Sequence, residues 1–263
     1  MADKLLVFIP CYNCAPQIGR VLRQFDSQTA SYFSEILILD NGSRDDTLTS
    51  AAAAAGSIKD IKITIGKNRA NYNLGGSHKA AFSYAMEQGF THVVVLHGDD
   101  QGSIKDILPV LQRQDHDVQD ACLGARFMTG SQLQGYSAFR IFGNRVFNFI
   151  FSVGTSRKVS DLGSGLNIFN RRVMEDSRII TYADDLRFNI YLLLGLFQKD
   201  MKVQYFPISW REDDQVSNVK MTSQALRTLQ LLWKSIVRRQ SFWSTDHREV
   251  RHAGYSFDVV FQK

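Results

Sequence analysis

The run VVVLHGDDQG, residues 93–102, carries an apolar strand straight into a histidine and two adjacent aspartates. Negative charge gathered at the tip of a buried strand has two readings: a loop that keeps its carboxylates in water, or a site that holds a metal ion against phosphates. Hard divalent cations take oxygen ligands from several directions, so Asp99, with His97 and Gln101 beside it, is a candidate centre for Mn2+ or Mg2+. Asp40, closing the run EILILD, can accept a hydrogen bond from a base N–H or a ribose hydroxyl. These are the parts that a nucleotide diphosphate needs at a sheet edge. Neither a GxxxxGK[ST] loop nor a GxGxxG turn follows the first strand, which removes P-loop enzymes and dinucleotide dehydrogenases from consideration. Cys11 and Cys14 stand between a strand and a helix, where a thioredoxin-type pair would sit; two free thiols in a loop is the plainer reading, and three cysteines in all suit a reducing compartment.

To converge, these residues need a scaffold that brings distant strand tips together. KLLVFIP, EILILD, IKITI and THVVVLH read as strands, and residues 15–28, 44–55 and 76–88 between them carry apolar residues at helical spacing. That alternation predicts an α/β fold, one Rossmann-like domain whose mostly parallel mixed sheet is flanked by helices. Ligands bind such sheets at the carboxyl ends of the strands, so Pro10 to Asn13, Asp40 to Ser43 and His97 to Gln101 are expected near one another. Ser43 is the expected cap of the helix after the DNGS turn. Further strands are expected at ACLGARF, SGLNIF and MKVQYFPISW, with helices at YSAFRIFGNRVFNFIF and DDLRFNIYLLLGLF. The expected division is a domain over 1–221 and a helical appendage over 222–263.

Of the 263 residues, 44% are hydrophobic, enough to close a real core. Lys and Arg number 31 against 26 Asp and Glu, a net +5 that suits an anionic ligand without marking a nucleic-acid partner. No run reaches the roughly 18 apolar residues of a membrane span, so the expectation is a cytoplasmic chain, peripheral to the membrane face at most. The segment 222–243 sets Leu226, Leu229, Trp233 and Ile236 beside Arg227, Lys234 and Arg238; it fits a helix lying on an anionic membrane or one packed on the domain.

IPCYN, LILDNGSRDDT, NRANYNLGGSHKA and VVLHGDDQ, in this order and spacing, resemble the family 2 inverting glycosyltransferases of GT-A fold. GARF, Arg140 with Asn144 and Asn148, DLGSGLNIF and PISWREDDQVSNVK sharpen the likeness toward the polyprenyl-phosphate sugar synthases, exemplified by dolichyl-phosphate mannose synthases. The resemblance implies a donor pocket built from Pro10, Tyr12, Asn13, Asp40, Gly76 and Lys79 for a UDP- or GDP-sugar. It implies a metal shell at Asp99 and Gln101, where the family's first aspartate is His97 here. An imidazole suits manganese better than magnesium, so either the metal preference shifts or His97 contacts a phosphate. Asp100 falls at the family's leucine position, and its competing reading is a solvated neighbour.

The same resemblance makes Arg126 and Arg140 a phosphate clamp, which a planar guanidinium suits, with a surface ion pair as the alternative. Asp161 has a counterpart near the acceptor or serves a turn. Asp185, of the pair Asp184-Asp185, is a general base for hydroxyl acceptors or a charge at a helix N-terminus. The implied activity is metal-dependent transfer of a sugar to a polyprenyl phosphate. Transfer to a hydroxyl of a glycan, lipid or protein is the alternative, and an inactive nucleotide-sugar-binding protein a further one.

Overall fold

The computed structural model describes residues 3–212 and 221–263; DDQVSNVK, the end of the last motif, and the start of the expected appendage lie outside the described residues and side chains. The strands are β1 (Leu5–Cys11), β2 (Glu35–Asp40), β3 (Lys62–Asn68), β4 (His92–Leu96), β5 (Ala121–Ala125), β6 (Gln132–Gln134), β7 (Leu166–Asn170), β8 (Val203–Pro207), β9 (Ser209–Arg211) and β10 (Phe257–Gln262). The helices are α1 (Ala15–Leu22), α2 (Ser27–Ala30), α3 (Thr47–Ala55), α4 (Asn73–Glu87), α5 (Leu108–Gln112), α6 (Asp115–Val118), α7 (Ala138–Thr155), α8 (Arg171–Met174), α9 (Phe188–Gln198), α10 (Met221–Val237) and α11 (Arg239–Ser244).

Side chains alternate across a strand, and β1 shows what that does here. Leu6 and Phe8 join one core with α4 and α9, while Leu5, Val7 and Ile9 join a second core with α1 and α3. Both faces are covered, which is why the central strands read as unbroken apolar runs. The eight-stranded sheet has the order β10-β3-β2-β1-β4-β7-β5-β8, and β6 and β9 form a separate ribbon. The strands β3, β2, β1 and β4 run parallel, so the tips after Cys11, Asp40 and Leu96 emerge on one edge. The antiparallel strand β7 pairs Leu166 with Leu96, which sets Gly165 against His97. A Cβ on Gly165 would stand 2.8 Å from the His97 ring, so glycine there lets the histidine lie flat on β7.

Two expectations change. The helix after the DNGS turn starts at Thr47, and Ser43 does not cap it. With Gly42 at φ +83° the chain turns sharply, and the Ser43 hydroxyl instead accepts the Asn13 N–H at 2.8 Å. The C-terminal 222–263 stretch is no helical appendage. It begins with α10 and α11, but β10 returns to the sheet edge antiparallel to β3, and Tyr255 packs over α4. Among the described residues no helix is long and apolar enough to cross a membrane.

Candidate active site

At the edge where β1, β2 and β4 end lies a cavity of about 380 Å³, lined by Pro10, Tyr12, Asn41, His97, Asp99 and Asp185 among others. Tyr12 is 50% exposed, an open ring face beside the cavity. Asn41 organises the far wall. Its carbonyl oxygen accepts from Asn68 Nδ2 at 3.0 Å and from the Tyr72 N–H at 2.8 Å, and its amide donates to Asn71 at 2.8 Å. Asn41, Asn71 and Ser77 all line the cavity; the sequence placed Asn41 among the converging strand tips but gave none of the three a role of its own, although all lie inside the motifs DNGS and NRANYNLGGSHKA.

Asp99 and His97 share the cavity wall, and neither has an ion-pair partner among the described residues. Burial raises the Asp99 carboxyl to about 6, the neighbouring Asp100 adds to this, and backbone N–H groups only partly offset it. Burial and the nearby Arg126 charge push His97 down to about 4, so its ring is neutral at physiological pH, and its Nε2 is buried without a hydrogen-bond partner. A carboxylate short of positive charge beside an orphaned neutral imidazole is a donor set that fits a divalent cation. Nitrogen in that set favours manganese over magnesium. Another group with metal-ligand spacing, Asp3, His116 and Asp117, flanks the opposite ends of β1 and β4, far from this cavity.

Several expected residues have other employment. Asp40 is 0% exposed and spends its carboxylate on the Gly42 and Ser43 N–H groups at 3.1 Å, so it shapes the β2 turn and presents no face to a base or ribose. Asn13, at φ 49°, accepts the Arg44 N–H at 2.9 Å and ties the β1 tip to that turn. Gly76 faces Tyr72 and Tyr255, where a Cβ would come within 2.5 Å and 2.9 Å; it is a packing glycine. The Lys79 ammonium is buried on Asp184 at 2.7 Å and on the Tyr182 carbonyl at 2.6 Å, and it does not line the cavity. The Gln101 side chain lines a second cavity with Asp100 and Arg211, on the other side of the loop from the Asp99 cavity; only its N–H reaches Asp99, at 3.3 Å. Asp100 is no solvated neighbour. At φ 60° it turns inward, 3% exposed, and accepts from Arg20 at 2.6 Å, from Gln24 at 3.2 Å and from Arg211.

Arg126 and Asp161 do come together, in a two-point pair with both bonds at 2.8 Å. Burial works against the guanidinium charge, but Asp161 outweighs it and raises the pKa. Arg126 also packs 5.1 Å from the centres of Phe127 and Trp210. Arg140 grips Glu212 and stacks 4.5 Å over Tyr136, whose hydroxyl accepts from Arg126 at 3.4 Å, so one tyrosine joins the two arginines. Asp185 lines the cavity and pairs with Arg187 at 2.7 Å. Cys11 and Cys14 are buried free thiols. A hydrogen bond with Cys14, burial and the nearby carboxylates push Cys11 well above the ordinary range, which leaves it an unreactive thiol.

A family model described as glycosyl transferase family 2 matches residues 6–178. An undecaprenyl-phosphate 4-deoxy-4-formamido-L-arabinose transferase of Sodalis glossinidius is 29% identical over 187 residues, which make up 66% of this chain and 51% of that protein. The chain thus spans about half the length of that curated relative. A polyprenol monophosphomannose synthase of Mycolicibacterium smegmatis is 23% identical over 217 residues, 80% of this chain and 78% of that one. Among solved structures, glucosyl-3-phosphoglycerate synthase of Mycobacterium tuberculosis, in complex with Mn2+, uridine-diphosphate-glucose and phosphoglyceric acid, matches with a TM-score of 0.64 at 13% identity. That match covers 93% of this chain and 81% of that one, and is a likeness of fold.

Proposed function

The chain belongs to glycosyl transferase family 2, and on that premise we propose that it moves a sugar, with inversion, from a UDP- or GDP-sugar to a polyprenyl phosphate at a membrane surface. The relatives named for undecaprenyl-phosphate and polyprenol substrates support this reading. The observation that carries it is α7. Phe139, Phe142, Phe149 and Val153 recur on one face of that helix and are 77%, 67%, 68% and 64% exposed, while Phe151 on the opposite face is buried. Arg140 lies in the first turn of the same helix. Arg140 projects from the inward side of the helix, toward Glu212 and Tyr136, so α7 carries an apolar face to the outside and a guanidinium behind its N-terminal end, which suits a lipid that ends in phosphate.

Beside α7 runs α10, where Leu232 and Ile236 meet Gly154 of α7. Its exposed Trp233, Ile236 and Val237 extend the apolar surface, and Arg227, Lys234 and Arg238 rim it with positive charge. That charge complements an anionic bilayer. Leu231 and Leu232 are buried while the opposite side is open, so packing on the domain leaves a face that a membrane could take.

In the reaction, Tyr12 and the Asn41 wall hold the base and ribose, and Asp185 meets the sugar. The acceptor phosphate has a second pKa of about 6, so its oxygen is already anionic near neutrality and needs no strong base. That oxygen attacks the anomeric carbon as the bond to the nucleotide diphosphate breaks and its electron pair leaves with the diphosphate. Arg126 and Arg140, prealigned by Asp161, Glu212 and Tyr136, orient phosphate oxygens. Asp99 and His97 would hold the divalent cation, which when bound stabilises charge on the departing diphosphate.

The test is transfer from labelled UDP- and GDP-sugars, with Mn2+, to undecaprenyl phosphate in anionic vesicles and to undecaprenol as control. Transfer to the phosphate alone is expected. Equal transfer to the alcohol moves the reading to hydroxyl acceptors with Asp185 as base, and no turnover of any donor removes both.

A further inference from the structure

Nothing in the reaction just described calls on the last twenty residues, yet they hold the cavity wall. The segment entering β10 lays Tyr255 across α4, where the absence of a side chain at Gly76 gives it room. Its hydroxyl meets both oxygens of Asp184, at 2.8 and 3.0 Å. Lys79 reaches the same carboxylate from α4, and the Asp184 carbonyl accepts the Gly75 N–H at 2.5 Å. Residue 184 is therefore tied through side chain and backbone alike. The next two residues, Asp185 and Leu186, line the cavity. Tyr72, which begins α4 beside the cavity-lining Asn71 and Asn73, packs edge-on against Tyr255 at 5.2 Å and His252 at 4.8 Å.

We propose that Tyr255 and Lys79 are positioning residues for Asp185, so that the C-terminal strand completes the wall against which the donor sugar is held. The inference rests on the reading of this cavity as the donor site. Two walls of the cavity, 71–74 and 184–186, lean on one tyrosine that the segment before β10 brings to α4, 176 residues after Lys79. A carboxylate on a loop needs such support, since a displacement of about 1 Å at a reacting centre can cost roughly a hundredfold in rate. Asp184 and Lys79 also form a buried pair, each charge satisfied by the other and by a second donor or acceptor, which locks one backbone arrangement.

Tyr255→Phe removes the hydroxyl and keeps the ring, so it leaves the packing on Gly76 in place. The experiment compares the full chain, Y255F, D185N and the double variant, by steady-state kinetics and by amide hydrogen exchange over residues 183–187. Y255F is expected to lower kcat about tenfold with the donor KM within about twofold, and to lower it less than about twofold further once D185N is present. Exchange at 184–187 is expected to rise about tenfold while β1 stays protected. An equal loss of kcat in both backgrounds would show that Tyr255 does not act through Asp185. Unchanged exchange at 184–187 overturns the proposal by itself. If the wild type turns over no donor, it is the functional reading that fails, and the exchange result alone then decides the positioning role.

Discussion

At the tips of β1 and β4, Asp99 and His97 are held by burial and backbone with no ion-pair partner among the described residues, whereas on the other flank Arg126 and Arg140 each grip a carboxylate. The first region is incomplete by its own electrostatics: a carboxylate that resists ionising and a lone pair with no donor. The second is complete before any ligand arrives, and its charges are aimed by Asp161, Glu212 and Tyr136. Paired arginines have little left to reorganise, while a buried, unpaired carboxylate is the group whose charge a cation would relieve most. The difference is one of completeness: one edge leaves a buried carboxylate without a counter-charge among the described residues, and the other carries charges already paired.

The largest effect that can break this contrast is on the arginine flank. Asp161→Asn strips a buried guanidinium of its two-point partner, and removing one member of a buried pair costs about 3–5 kcal/mol. Urea unfolding should show that loss; a change below about 1 kcal/mol would mean that Arg126 is not held by Asp161 in solution.

The next effect has the opposite sign and belongs to Asp99. Its folded-state pKa, raised from 3.8 to about 6, means that the folded chain holds this proton more tightly than the unfolded chain. The metal-free protein is therefore destabilised as pH rises from about 4 to about 6, by up to about 3 kcal/mol, and the penalty stays constant above that window. Asp99→Asn should melt higher than the wild type at pH 7.5 without metal, and the gap should close at pH 4. A variant that melts lower at pH 7.5 would show that the carboxylate is already compensated.

Much of the scaffold was legible because apolar periodicity reports burial directly: β1, β2 and β4 lie where unbroken apolar runs demanded covered strands, and α4 and α9 follow helical spacing. The convergence of Pro10, Tyr12, His97 and Asp99 on one cavity followed from parallel-strand geometry alone. What stayed hidden was partnership. Nothing at Lys79 announces a bond to Asp184, more than a hundred residues away, and a motif likeness cannot tell a lysine that meets substrate from one that props a loop. Asp40 misled for a related reason, since an aspartate before Asn-Gly can either bind a ligand or cap its own turn, and here the two N–H groups after it take its oxygens. Strand β10 went unseen because FDVVFQ is short and its pairing partner, β3, lies almost two hundred residues earlier.

In the reaction proposed above, Asp99 holds a divalent cation whose shell the donor completes. Thermal melting of the wild type and of D99A, with UDP- and GDP-sugars and with Mn2+, Mg2+ or no metal, tests it most directly, because a ligand stabilises the fold according to its occupancy. One donor should raise the melting temperature of the wild type only with a divalent ion, more with Mn2+ than with Mg2+, and D99A should lose this shift. A metal-dependent donor shift that survives in D99A would contradict it.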